Sequence, residues 1–309
     1  MEFNHKPVLL EECIEGLNIN PNGIYVDGTM GGAGHSKEIL KKLSNKGMLI
    51  GIDRDTEALE VAKKRLQKFK YVKYIHGNHD DIKDILEKLE IDKVDGILLD
   101  LGVSSYQIET AKRGFSYMLN SKLDMRMDSS QILTAEEVVN TYKEDELINI
   151  IYEYGEEKFA RQIAKNIVQA RSKKKIETTE ELVKIIEKAI PYYDNKAGHP
   201  AKRTFQAIRI EVNNEIKPLY DTVTNAISCL KSGGRLCIIT FHSLEDRAVK
   251  KAYNASLGKC TCPKDLPYCI CGAERIGKIV NKKPIQPSIK EQKENSRAKS
   301  AKLRIIEKI

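Results

Sequence analysis

Short apolar runs alternate with amphipathic segments over the first hundred residues. Runs of β-branched and aliphatic residues predict four strands, at Ile24–Asp27, Met48–Asp53, Val72–His76 and Val94–Asp100. Between these runs apolar residues recur at helical spacing, as from Ala58 to Leu66. Strands that alternate with helices are typical of an open parallel α/β sheet, which binds ligands at the carboxyl ends of its strands.

After Asp100 the pattern becomes helical. A loop-rich stretch to about Ser130 precedes helices whose starts carry capping-box spacing, at Thr134 with Glu137 and Thr178 with Glu181. An apolar stripe over 205–227 predicts a helix with a kink or break at Pro218. Strands return at 235–241 and 302–307, and 259–300 is interpreted as an extended loop or linker. We expect a sheet domain of 1–107 and 214–309, interrupted by a helical domain of 108–213.

Composition agrees with a folded protein of about two domains, since 41% of the 309 residues are hydrophobic and 31% are charged. No apolar run approaches the roughly 18 residues that a membrane span needs. The first residues carry carboxylates where a secretory signal has a cationic end, so a cytoplasmic location is expected.

The net charge of +8 is concentrated near the end of the chain. The stretch 275–304 contains ten basic and two acidic residues, so it alone accounts for the excess. Clustered cations gain by releasing counterions from a polyanion, which favours a nucleic acid as partner. A solvated basic tail is the alternative.

The seven cysteines fall into two groups. Cys13, Cys229 and Cys237 lie in apolar-periodic segments and are expected to pack as small hydrophobic residues. The others form two Cys-x-Cys pairs with six residues between them, at Cys260, Cys262, Cys269 and Cys271. Four thiolates can hold a tetrahedral metal, so these cysteines are candidates for a structural metal site. The spacing within each pair is unusual for zinc. No metal is expected to be required for catalysis.

A glycine-rich loop follows the first strand, and an acid, Asp53, ends the second. The glycines of 28–34 let the backbone approach a ligand, and Asp53 is placed to accept ribose hydroxyls. A phosphate-cradling loop needs Gly-Lys-Ser/Thr, yet Gly34 is followed by His35. A dinucleotide loop needs a glycine where Lys37 stands, and Asp27 would repel a pyrophosphate. The acid instead suits S-adenosylmethionine, which carries ammonium and sulfonium groups.

The fourth strand ends at Asp100, followed by the small-residue loop 101–105. In a methyltransferase sheet this loop faces the transferred methyl group and aligns the acceptor atom with it. An amine conjugated to a ring attacks poorly until acceptors hold its hydrogens and turn its lone pair. Asp100 is the candidate for that task; the alternative is that it only caps a neighbouring turn.

Motifs spread along the whole chain resemble the bacterial small-subunit (16S) ribosomal RNA cytosine-N(4)-methyltransferase family, RsmH/MraW. They are HKPVLL at 5–10, DGT at 27–29, GIDRD at 51–55, 95–105, RGFS at 113–116, LDMRMD at 123–128, RTFQA at 203–207 and FHSLEDR at 241–247. The resemblance implies a class I S-adenosylmethionine-dependent methyltransferase with a Rossmann-like sheet and an inserted helical domain. Its implied reaction is N(4)-methylation of the decoding-site cytidine conventionally numbered 1402 in 16S rRNA, within the small ribosomal subunit.

The resemblance also suggests which residues form the site. The implied cofactor contacts are Ala33, Gly34, His35, Asp53, His79, Asp100 and Gln107. RNA-facing side chains are expected at Arg113, Phe115, Arg126, Arg203 and Arg209. Cytosine must leave its stack to be methylated, so Phe115 and Tyr117 are candidates for stacking on a base, with core packing as the alternative.

Two other functions fit part of the sequence. His242, Ser243 and Asp246 suggest a hydrolase, but the Gly-x-Ser-x-Gly elbow is absent and three residues so close together do not form a triad. Capping of a helix is the simpler interpretation. A non-catalytic RNA-binding protein is the other alternative, and it would have no affinity for S-adenosylmethionine.

Overall fold

The computed structural model describes residues 7–191, 198–260, 262, 265–268, 270, 272 and 274–309. The chain divides into two compact units. The sheet unit comprises Met1–Gly102 with Ile216–Ile309, and the helical unit comprises Val103–Glu215. The boundaries expected from the sequence, at 107/108 and 213/214, lie within a few residues of these.

The described residues of the sheet unit form seven strands in one sheet of order β3-β2-β1-β4-β5-β7-β6. The strands are β1 Ile24–Asp27, β2 Met48–Asp53, β3 Val72–His76, β4 Val94–Asp100, β5 Leu230–Thr240, β6 Gly277–Ile279 and β7 Lys302–Lys308. Strands β1 to β5 are parallel, whereas β7 runs antiparallel between β5 and β6. The predicted α/β sheet is confirmed, and its first four strands have the predicted bounds.

Helices cover the sheet and build the inserted unit. Those before the insertion are α1 Leu10–Leu17, α2 Gly34–Lys42, α3 Thr56–Leu66 and α4 Ile82–Lys88. The helical unit contains α5 Ser105–Glu109, α6 Ala135–Thr141, α7 Glu144–Gly155, α8 Ala160–Arg171, α9 Thr179–Glu187 and α10 Ala201–Asn213. The chain returns through α11 Leu219–Ser228, α12 Ser243–Ser256 and α13 Ile289–Glu294. No helix of the described residues is long and apolar enough to cross a membrane.

Alternate residues of the central strands feed two separate cores. Ile97 and Leu99 of β4 belong to one buried cluster, and Leu98 belongs to the other. Because neighbouring side chains of a strand point to opposite faces, the sheet is apolar on both sides. Cys13, Cys229 and Cys237 are buried in these cores, as predicted.

In the second half of the chain the structure confirms one sequence prediction and corrects another. The long stripe over 205–227 is broken between α10 and α11, where Asn214 takes a left-handed conformation ahead of Pro218. The stretch 259–300 is more than a loop, since it contains β6, α13 and a 3₁₀ turn at Ser296–Ser300. Elements of three to six residues are too short to show a hydrophobic period, so the pattern missed them.

In the helical unit, Asn213 holds a strained turn of backbone in the core. Its Nδ2 donates to the carbonyl of Met125 at 2.8 Å, and its Oδ1 accepts from the N–H of Met127 at 2.7 Å. Met125 lies at a φ of 60°, a conformation that L-residues rarely adopt. The turn is therefore held by tertiary hydrogen bonds rather than by its own preference.

We predict that Asn213→Ala lowers the free energy of unfolding by about 2–4 kcal/mol, because it leaves buried N–H and C=O groups without partners. Urea unfolding measures the change. Gln162→Ala is the control: Gln162 is exposed and bonds Asn166 Oδ1 on its own helix, so its loss should stay within about 0.5 kcal/mol. Equal stability of Asn213→Ala and the wild type would contradict this role.

Candidate functional site

The loop between β1 and α2 is bonded to the ends of the two neighbouring strands. The N–H of Gly28 donates to the carbonyl of Leu98 at 2.9 Å, on the β4 side. The N–H of Met30 donates to the carbonyl of Ile52 at 3.0 Å, on the β2 side. The N–H of Asp100 donates to Thr29 Oγ1 at 2.6 Å. These bonds gather the carboxyl ends of β1, β2 and β4 around one loop.

The loop requires small residues at two close contacts. A Cβ on Gly28 would lie 2.5 Å from Leu99 Cδ2, and one on Gly34 would lie 2.2 Å from Pro7 Cγ. Ala33 precedes α2 at a φ of 59°, in the left-handed region that a non-glycine residue seldom occupies. Strained backbone of this kind concentrates at ligand sites, where the surrounding structure maintains it.

Asp53 closes the loop from the β2 side. Its Oδ2 accepts from the N–H of Gly31 at 2.6 Å, and its Oδ1 accepts from the N–H of Asp55 at 2.8 Å. Burial raises the pKa of Asp53. Each carboxylate oxygen can accept a second hydrogen bond, so the geometry leaves Asp53 able to hold hydroxyl groups as well.

Asp27 is buried below the loop, with only 1% of its surface exposed. It accepts from Ser36 Oγ at 2.6 Å and from the N–H of Thr29 at 3.3 Å. Burial raises its pKa to about 6. The sequence places Asp27 at the mouth of the loop, but the structure places it beneath, so its charge acts on a ligand through space.

Asp100 has the most perturbed carboxyl group of the site. Burial, together with the negative charges of Asp27 and Glu245, raises its pKa to about 8. Its side chain is 26% exposed, yet its Oδ1 is buried and lacks a hydrogen-bond partner among the described residues. A buried acceptor without a donor is costly, which marks this atom as a place for a ligand donor.

His35 faces Asp100 as a neutral ring. Its Nε2 lies 3.0 Å from the carbonyl of Val8, an acceptor only, so Nε2 carries the hydrogen. Burial lowers the pKa of His35 to about 4. The bare Nδ1 is therefore the atom that lies 3.8 Å from Asp100 Oδ2, and it provides that carboxylate with no positive charge.

The remaining expected cofactor contacts are divided between the two units. His79 begins a 3₁₀ turn, His79–Asp81, and a Cβ on Gly28 would lie 3.2 Å from the Cβ of His79, so this histidine borders the loop. Burial lowers the pKa of His79 to about 4, which leaves an uncharged ring. Gln107 belongs to the helical unit, where its side chain closes a capping box with Ser104.

Most of the expected RNA-facing side chains have structural contacts within the helical unit. Arg113 is buried and donates to the carbonyls of Arg126 and Met127, and Phe115 is buried in the core. Arg126 pairs with Asp124, bridging it through two nitrogens.

The other two arginines differ in exposure. Arg209 holds Glu215 through two nitrogens at 2.9 Å, and its side chain is 16% exposed. Arg203 is 50% exposed and makes long contacts of 3.4 Å to the carbonyl of Glu156 and 4.0 Å to a Glu157 oxygen. Tyr117 stacks on His199 with ring centroids 4.6 Å apart.

Two other groups of residues were candidates from the sequence, the His-Ser-Asp group at the start of α12 and the cysteine pairs. His242 is the N-cap residue of α12 and forms a capping box with Glu245, in agreement with the capping interpretation. Cys260 is exposed and Cys262 is half-buried, and the N–H of Ile270 lies 3.4 Å from Cys262 Sγ. Cys269 and Cys271 lie outside the described residues, as do His5 and Lys6 of the first motif.

Sequence reasoning missed Thr29, Ser36 and Glu245. Thr29 and Ser36 bond the residues Asp100 and Asp27, and Glu245 is a buried acid close enough to raise the pKa of Asp100. For Thr29 and Ser36 the available signal was position, since Thr29 lies just after the end of β1 and Ser36 lies in the first turn of α2.

The collected groups fit a cationic ligand. Three carboxyl groups surround one loop, the neighbouring histidines are neutral, and one carboxylate oxygen lacks a donor among the described residues. A sulfonium and an ammonium group would relieve this negative charge, whereas a pyrophosphate would add to it.

We predict that the ligand-free protein loses stability as the pH rises from 7 to 8. Unfolded Asp100 loses its proton near the ordinary value of 3.8, whereas the folded carboxyl holds it to about 8, so the folded state binds more protons in this window. The slope of unfolding free energy against pH is therefore negative. Urea unfolding at pH 7, 7.5 and 8 measures it. Below pH 7 the lowered pKa values of His35 and His79 oppose this slope, because their unfolded rings bind protons that the folded rings do not. Asp100→Asn should flatten the slope, and an equally steep slope in that variant would contradict the assignment.

Known proteins place these features in a family. A ribosomal RNA small subunit methyltransferase H from Clostridium botulinum (strain Kyoto / Type A2) is 58% identical over 309 residues, covering 100% of both chains. The protein of the same description from Clostridioides difficile (strain 630) is 57% identical over 311 residues, with 100% of both chains covered. A solved rRNA methylase from Streptococcus thermophilus is 12% identical, with a TM-score of 0.42 over 100% of this chain and 99% of its own.

The match to the family extends over residues 2–309, nearly end to end. The resemblance seen in the sequence motifs is thus confirmed, and with it S-adenosylmethionine as the methyl donor. The chain belongs to the MraW methylase family and is an S-adenosylmethionine-dependent methyltransferase.

Proposed function

We propose that the enzyme methylates the exocyclic N(4) amine of a cytidine in 16S rRNA, on the small ribosomal subunit in the cytoplasm. The sequence motifs indicate the decoding-site cytidine numbered 1402 as the target. The relatives' names supply the class of RNA, since both are small-subunit rRNA methyltransferases. The motif set of the sequence supplies the base and the atom. The observation that carries the chemistry is the buried Oδ1 of Asp100, which has no hydrogen-bond partner in the part of the chain that the structure describes.

The donor supplies an electrophilic methyl group on a sulfonium. The N(4) lone pair forms the new C–N bond as the C–S bond breaks, and S-adenosylhomocysteine leaves as a neutral thioether. The amine then loses one proton to water. Because the methylated amine is a strong acid at that moment, the site needs to align the lone pair more than it needs a strong base.

Three parts of the site bind different parts of the donor. Asp53 accepts the ribose hydroxyls with its remaining lone pairs. The backbone of 31–35, with Ala33 and Gly34 at its centre, forms the floor against which the donor lies. His79 borders Gly28 as a neutral ring and packs against the adenine.

Asp100 lies where it can contact both the methyl donor and the target cytidine. Its buried Oδ1 accepts a hydrogen bond from the donor's ammonium or the target amine, and the rest of its carboxyl group is partly exposed. Either bond turns a lone acceptor into a satisfied one, which gives affinity. Gly102 follows at a φ of 90°, and a Cβ there would be in van der Waals contact with Glu245 Oε1 at 3.8 Å, so Glu245 lies close to the backbone that follows Asp100.

The helical unit contributes to RNA binding through its exposed cations. Arg203 keeps half of its side chain open to solvent, so it is the member of the predicted set best placed to meet a phosphate. Arg113, Phe115, Arg126 and Arg209 support RNA binding by holding the shape of that unit, through the contacts described above.

The decisive experiment is methyl transfer from labelled S-adenosylmethionine to small subunits that lack the modification, followed by nucleoside mass spectrometry. We expect N(4)-methylcytidine from the wild type and a loss of at least about 100-fold in kcat/KM for Asp53→Ala and Asp100→Ala, corresponding to about 2.7 kcal/mol or more. Asp92→Ala, an exposed acid at the opposite edge of the sheet, should retain full activity. Methylation of another base or atom would refute the proposed target.

We also predict that donor binding at pH 7 releases a proton. The pKa of about 8 means that Asp100 is largely protonated in the donor-free enzyme, and a cationic ligand favours the carboxylate. Calorimetry in phosphate and Tris buffers should show binding enthalpies that differ with the buffer's ionisation enthalpy at pH 7, and much less at pH 9. Asp100→Asn removes the titrating group, so buffer dependence that persists in this variant would assign the proton elsewhere.

A further inference from the structure

The basic stretch 275–304 is anchored to the core of the sheet unit. Ala298, Ala301 and Leu303 are buried in one core cluster with residues of α1 and β1. Asn281 donates to the carbonyl of Leu303 at 3.0 Å and accepts from the N–H of Ile305 at 2.7 Å. The lysines of this stretch therefore project from a fixed framework, which argues against a solvated tail.

The framework borders the donor site. Asp100 of β4 pairs with Ile239 of β5, and Ile239 pairs with Leu303 of β7. With strands about 4.8 Å apart, Leu303 lies on the order of 10 Å from Asp100. Because β7 is antiparallel to β5, the residues that precede it, 296–301, lie at the carboxyl edge of the sheet, where the donor loop lies.

A second link joins α13 to the donor loop. The carboxylate of Glu291 accepts from the N–H of Leu9 at 2.8 Å, and the carbonyl of the neighbouring Val8 accepts from His35 of α2. The segment that contains Val8 and Leu9 thus connects α13 to the ring that faces Asp100.

The acidic groups of this stretch are already engaged, whereas several of its lysines are not. Glu291 bonds Leu9, and Glu294 pairs with Lys290 at 4.0 Å. Lys302 and Arg304 pair with Asp246 of α12. Four exposed lysines make no ion pair with any described residue, and we call them the border lysines: Lys282, Lys283, Lys293 and Lys299.

We propose that the border lysines bind the phosphate backbone of the substrate RNA beside the donor site, so that the RNA strand is held along the carboxyl edge of the sheet. This inference rests on the proposed function for the identity of the RNA. Four unpaired ammonium groups release counterions when phosphates approach, which supplies affinity without base specificity.

The test neutralises the four together, as K282Q/K283Q/K293Q/K299Q. The matched control is K46Q/K68Q/K70Q/K88Q, four exposed lysines that precede strands β2, β3 and β4 and so lie at the opposite, amino edge. Filter binding to unmodified small subunits and to 16S rRNA is measured from 50 to 300 mM KCl. Calorimetry with S-adenosylmethionine is run on every variant.

We expect the border variant to bind RNA on the order of tenfold more weakly or worse at 150 mM salt, with the slope of log affinity against log salt reduced by about three. Its KM for the subunit should rise, while kcat and donor affinity match the wild type. The control variant should bind RNA like the wild type.

Unchanged RNA affinity and salt slope in the border variant would overturn the inference and assign these lysines to another partner. Equal losses in both variants would also overturn it, because general attraction would then explain the binding. If the wild type binds RNA through the border lysines but methylates no cytidine, the proposed RNA-binding surface is supported and the proposed reaction is refuted.

Discussion

The bonding of one loop to two strand ends is the constraint on which the site depends. Backbone bonds from Gly28 and Met30, and the bond from Asp100 to Thr29, leave the loop little freedom of its own. Carboxyl side chains that would repel one another in a flexible chain are thereby held together at the carboxyl edge of the sheet. Their repulsion is a folding cost that a cationic ligand relieves, so the apo site is arranged for the complex rather than for itself.

The sequence predicted the sheet well because the relevant signals are local. Each of the first four strands is a short apolar run that ends at a turn, and in three of them the last residue is the acid that later forms the site. The amino-acid pattern alone therefore assigns Asp27, Asp53 and Asp100 to one edge, since parallel strands share their carboxyl edge. The pattern could not show how deeply each acid is buried. Asp27 lies beneath the loop, where it bonds Ser36 and the N–H of Thr29.

In the helical unit, by contrast, arginine and aromatic residues of the sequence motifs have structural contacts that the sequence did not predict. Arg113 and Phe115 have the chemistry of RNA contacts, and sequence alone gives no reason to bury a guanidinium. The structure satisfies Arg113 with the carbonyls of Arg126 and Met127, both from a turn that Asn213 holds from α10. Such a network joins residues about a hundred positions apart, which no local period reveals. A motif rich in arginine can thus indicate a supported turn as readily as a binding surface.

Charge is separated within the sheet unit in a way that suits a cationic donor and an anionic acceptor. The acids occupy the interior of the carboxyl edge, where burial strengthens their effect on a small ligand. The border lysines occupy its solvent-facing side, where the phosphates of the proposed RNA substrate could reach them and where screening by salt is strong. The buried acids are too deep to repel a backbone at the rim, and the lysines make no ion pair with them. The arrangement of the strands therefore keeps the buried acids and the exposed lysines apart, and each set of charges complements one of the two proposed substrates.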